Sequence, residues 1–151
     1  MIFKPSPGVV TTWYLVFAPD CRHWLTRLLP GRFKHVYAIG WCPEARVFVV
    51  VDYAFEGVSV LVVPGSVEGD GWLAQMTAGC GVLEMQAQRT PPRVQRFALC
   101  TTFVKHLVGL RSGALRPDAL WRDCLRNGAR VIFDGLQNED AGRKPGATRG
   151  A

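Results

Sequence analysis

Three residues in this chain are of types that together can perform acyl-transfer chemistry: His35, Asp52 and Cys100. His35 lies in the strand-like run Arg32-Phe33-Lys34-His35-Val36-Tyr37-Ala38-Ile39, and Asp52 lies in the strand-like run that follows a turn containing Pro43. Cys100 opens the helix-like segment Cys100-Thr101-Thr102-Phe103-Val104-Lys105-His106-Leu107. A thiol at a helix start meets exposed N–H groups and the positive end of the helix dipole, both of which favour the thiolate nucleophile. A carboxylate on an imidazole N–H holds the ring in one tautomer, the orienting role in a nucleophile–base–acid triad.

The hairpin joining the two runs tests the pairing. A tip between Pro43 and Glu44 sets His35 opposite Asp52, and directly opposed residues of an antiparallel pair share a face. A slip of one residue would part them. The competing reading of Cys100 is a packed small hydrophobe, the usual state of a free cysteine. Other candidates are weaker. His106 is six positions from Cys100, about 240° around a helix, and points away. Cys21 and His23 are two residues apart and do not face each other on a helix. Cys124 reads as core beside Trp121 and Leu125, Cys42 falls in the turn, and Cys80 sits between glycines. Glu84 and Gln86 alternate on a strand and read as a solvated face. No metal site or cofactor is expected, since the cysteines form no C-x-x-C pair.

The elements that must position these residues follow from pattern. Strands are expected over Val9 to Phe17, Phe33 to Ile39, Arg46 to Tyr53, Phe55 to Val63 and Val82 to Gln88, from their β-branched and aromatic content. Asp20 caps an expected short helix from Cys21 to Leu29, and Ser66 caps another running to about Met76, which Gly69 and Gly71 weaken. Leu99, Phe103, Leu107 and Leu110 form one stripe of a helix from Ala98 to Leu110. Pro117 starts the last helix, through Arg126, and Arg130 to Phe133 is a last short strand. Thr90-Pro91-Pro92 is an extended connector. The sum is an α+β fold, an antiparallel sheet packed against helices around one core. One domain is expected over residues 1–134, with a mobile tail over 135–151.

Composition narrows the function classes. The 151 residues are 48% hydrophobic and 20% charged, which suits a globular protein rather than a disordered one. Net charge is +6, yet the basic residues are scattered, so no dedicated nucleic-acid binding is expected. No apolar run reaches the ~18 residues of a membrane span. Five widely spaced cysteines suit a reducing cytoplasm rather than a disulfide framework.

The order His on a strand, polar residue on the next strand, then Cys at a later helix resembles the circularly permuted papain-like cysteine hydrolases, a group that includes lecithin-retinol-acyltransferase-like proteins and bacterial amidases and endopeptidases. The resemblance covers about Phe33 to Leu110. It implies Cys100 as nucleophile, His35 as general base and acid, and Asp52 as orienting residue. It further implies a peptide, cell-wall or protein substrate. Phe97-Ala98-Leu99 before the cysteine departs from the Asn-Cys signature of the acyltransferase branch, which leaves the substrate class open. The small basic chain also resembles bacteriophage- and prophage-encoded proteins, which implies phage structural proteins as partners and a place in the particle as an alternative to the cytoplasm. The competing function is a non-catalytic binding or structural module, such as a virion component, with Trp13, Trp41 or Trp72 as interface anchors.

Overall fold

The computed structural model describes residues 10, 12–21, 30–54, 57–88 and 99–135. Among these, six strands form one sheet in the order β4-β3-β2-β1-β5-β6, with every neighbouring pair antiparallel. The strands are β1 (Thr12–Ala18), β2 (His35–Cys42), β3 (Val47–Ala54), β4 (Gly57–Pro64), β5 (Gly81–Gln86) and β6 (Arg130–Asp134). Three helices accompany them among the described residues: α1 (Val67–Thr77), α2 (Cys100–Val108) and α3 (Pro117–Arg126). The architecture is α+β, as the sequence pattern predicts. The expected helix from Cys21 to Leu29, the Thr90-Pro91-Pro92 connector and the tail beyond Gly135 lie outside the described residues.

Strand alternation sorts the apolar residues into two cores. Trp13, Leu15, Phe17, Val36, Ala38, Val51, Leu83 and Met85 face one side, against Val104 and Val108 of α2 and Leu120 and Cys124 of α3. Val16, Tyr37, Ile39, Val50, Val63 and Val82 face the other, against Leu73 and Met76 of α1. With helices on both faces, β1 is apolar almost throughout, and Leu15, Val16 and Phe17 are fully buried. The strands and helices therefore do not share the single core expected of them. The sheet divides it.

Three of the helix ends have a clear local cause. Ser66 Oγ accepts from the Gly69 N–H at 3.2 Å and caps α1. Gly109 ends α2 in the left-handed region at φ 74°, where a glycine avoids the Cβ penalty. Pro117 occupies the first turn of α3, where its missing N–H costs nothing.

The β2–β3 hairpin differs from expectation. Gly40, Trp41 and Cys42, expected in the turn, continue β2, and the turn is Pro43 to Arg46, with Arg46 at φ 52°. Cys42 pairs with Val47 and Ala38 with Val51, which places the tip between Glu44 and Ala45. Trp41 packs on Phe48 with ring centroids 4.5 Å apart, so apolar packing prolongs the strand past Gly40.

Candidate active site

β2 begins at His35, and the segment before it is held in place by a helix. Asp118 of α3 accepts from the backbone N–H of Arg32 at 2.9 Å and of Phe33 at 3.3 Å. Gly31 passes so close that a Cβ there would strike the Asp118 carboxylate. Phe33 is buried between Phe17 and Trp121, at 5.4 and 5.1 Å between centroids. These contacts fix where the histidine emerges.

The His35 Nε2 lies 2.6 Å from Asp52 Oδ1. The two are not directly opposed, because the register is shifted by two residues from the expected one. A shift of two preserves the face, so the pair becomes a diagonal contact rather than a lost one. The β2–β3 ladder ends at Ala38 and Val51, which leaves both residues at the rim of the sheet. The imidazole side chain is 14% exposed and the carboxylate 38%.

Cys100 is the first residue of α2, and its thiol is near enough to His35 to influence the charge of the imidazole. By alternation His35 is on the face of Tyr37 and Ile39, whereas α2 packs on the opposite face. They meet because His35 ends its strand at the rim, where the start of a helix from the other layer is within reach. Phe103 stacks on Tyr53 at 5.5 Å and 21°, which anchors the first turn of α2 to the end of β3. Thr101 Oγ1 donates to the Leu115 carbonyl at 3.0 Å, and Thr102 Oγ1 accepts from the Leu99 N–H at 2.9 Å. Leu99, the N-cap, has no side-chain oxygen to occupy the amides of the first turn. Those N–H groups are donors suited to an oxyanion.

Burial, the largest influence on the His35 pKa, lowers it. The hydrogen bonds and charges of Asp52 and Cys100 outweigh that and raise it from 6.5 to about 10. The imidazole therefore carries its proton at neutral pH. Tyr37, missed by sequence reasoning, adds a wall: its ring stacks beside the imidazole at 6.3 Å and 29°, and its hydroxyl donates to the Met76 carbonyl at 2.9 Å. Its position two residues from His35 on an alternating strand is the signal that would have found it.

The other candidates stand apart. Cys42, Cys80 and Cys124 are buried, and burial raises the thiol pKa of Cys80 and pushes that of Cys124 up to about 12. His106 is half-buried on α2, and His23 lies outside the described residues. Glu84 pairs with Arg130 at 3.2 Å and Gln86 with Thr12, on the far side of β1 from the triad residues. Trp13 is buried, Trp41 packs on Phe48, and Trp72 is 37% exposed. An apolar hollow of about 210 Å³, lined by Tyr14, Ile39, Phe48, Leu73, Val82 and Phe133 among others, is on the α1 face and includes none of His35, Asp52 and Cys100. No group of three or more metal-ligating side chains exists among the described residues, and no described helix is long and apolar enough to cross a membrane. Comparison with protein-family models, curated proteins and solved structures finds no match.

Proposed function

We propose that this chain is a cysteine hydrolase of the permuted papain-like kind, acting on an amide or ester carbonyl. The observation that carries the reading is an imidazole hydrogen-bonded to a carboxylate and close enough to a helix-starting cysteine for the thiol to act on its charge. The chain order of the three residues, His35, Asp52 and Cys100, matches the permuted arrangement, and the α+β sheet with helices on its faces is compatible with it.

In this mechanism the Cys100 thiolate attacks the carbonyl carbon, forming a C–S bond while the oxygen takes the negative charge. The backbone N–H groups of Cys100 and Thr101 at the start of α2 are the donors for that oxyanion. Collapse breaks the bond to the leaving amine or alcohol, and the imidazolium of His35 gives that group its proton. Water then attacks the thioester carbon as His35 accepts its proton, and collapse breaks the C–S bond, releasing the acid and restoring the Cys100 thiolate beside the imidazolium. Asp52 holds the ring throughout.

The test is competitive alkylation of the native chain with iodoacetamide at pH 7, read by peptide mass spectrometry. Cys100 is expected to react about tenfold or more faster than Cys42, Cys80 and Cys124, and His35→Ala to remove that advantage. Equal rates at all of them would defeat the assignment.

A further inference from the structure

Among the described residues the sheet is open, and its two edges differ. β6 is five residues long, is bounded by Arg130 and Asp134, and pairs with β5 through a register shift at Val82 and Leu83. Arg130 is tied to Glu84 and Asp134 to Arg32. A short strand, terminal charges and an irregular register are devices that discourage further pairing, even though Val131, Ile132 and Phe133 are exposed. β4 has none of them. It is eight residues of Gly-Val-Ser-Val-Leu-Val-Val-Pro without a charge, in unbroken register with β3 from Ala54–Gly57 to Val47–Pro64. Its only proline is the last residue. Val58, Val60, Leu61 and Val62 are 52%, 62%, 46% and 57% exposed, so both faces of the edge are apolar and open.

We infer that β4 is a homodimer interface, pairing antiparallel with β4 of a second copy of this chain across a twofold axis. An uncharged strand of β-branched residues is complementary to itself. Antiparallel pairing sets Val against Val on one face and Leu against Ser on the other, with no like charges opposed. Elsewhere the chain carries +6, which disfavours broad contact between copies and confines it to this neutral edge. The triad's own substrate is a poor occupant. A strand added to β4 lies three strand spacings, about 14 Å, from β2, too far to present its carbonyl to Cys100.

A twofold axis normal to the sheet keeps each face continuous, so a β4 residue on the axis meets its own copy. With Val60 there, Val58 opposes Val62 on one face and Ser59 opposes Leu61 on the other. The product is a closed, twelve-stranded sheet with α2 and α3 of both copies on the same side.

The test is light scattering of the full chain at about 50 μM. The expected mass is twice the 16.7 kDa of one chain. Val60→Lys and Val62→Lys, each at an exposed position, are expected to keep the circular dichroism spectrum and weaken self-association about tenfold or more. If Val60→Lys does not fold, Val62→Lys decides the matter. A single-chain mass for the unmodified protein, an open-ended series of larger species, or a dimer that survives the folded lysine variants would overturn the inference.

Discussion

Replacing Asp52 by asparagine tests the centre of the site without emptying it. The side chain keeps its shape and loses its charge. A hydrogen bond between charged groups contributes about 1.5–3 kcal/mol. The carboxylate here is 38% exposed, so solvent screening places the contact near the lower end, about 1.5–2 kcal/mol. At 1.36 kcal/mol per pH unit, the His35 pKa should fall by roughly one unit or more from its native value of about 10. The sign of the stability effect follows from linkage. A histidine whose pKa rises from 6.5 to about 10 on folding adds stability that is whole below pH 6.5 and drains away as pH climbs toward 10. Asp52→Asn should therefore cost about 1.5–2 kcal/mol from pH 6 to about pH 8, and less as pH rises through about 9 to 10. Urea unfolding at several pH values measures this directly, with the slope of free energy against urea expected to stay constant. NMR titration of the imidazole gives the pKa itself. A difference between the two proteins that stays flat through pH 10, or that grows above pH 8, would refute the reasoning.

Two further predictions concern the frame. Gly71 faces open space, with nothing within 4 Å of where a Cβ would sit, whereas a Cβ on Gly69 would strike the Pro64 carbonyl oxygen. Gly71→Ala should stabilise the protein by about 0.5–1 kcal/mol through helix propensity, and Gly69→Ala should destabilise it, as thermal unfolding would show. Lys105 is 2% exposed, and its ammonium donates to the carbonyls of Ser112 at 2.9 Å and Ala114 at 2.6 Å. Lys105→Met removes those donors from a buried site and should cost about 2–4 kcal/mol in urea unfolding, without altering the alkylation rate of Cys100 by more than about twofold.

The elements are legible in the sequence because their causes are local. β-Branched runs, the Ser66 cap and Pro117 act within a few residues of the structure they produce, and each described element lies within a few residues of its expected bounds, although α2 buries Thr101, Val104, Lys105 and Val108 more deeply than the expected stripe of Leu99, Phe103 and Leu107. The hairpin is less legible. Its register depends on whether Gly40-Trp41-Cys42 turns or extends, and the Trp41–Phe48 contact across the strands decides that. Local propensity has no knowledge of a cross-strand ring. The face shared by His35 and Asp52 survives the shift because two residues is the period of a strand.

Residue type, order and parity therefore nominate His35, Asp52 and Cys100 as the candidate site. They are not enough to bring the three together. The helix that starts at Cys100 packs on the face of the sheet opposite to the one His35 joins by alternation, and a flat reading of the strands would separate thiol from imidazole. The two are neighbours because β2 begins at His35, beyond the last β2–β3 pair, with Asp118 and Phe103 fixing the strand start and the helix start. Those contacts join residues 17 to 86 positions apart in the chain, from His35–Asp52 to Arg32–Asp118, and only packing sets such distances.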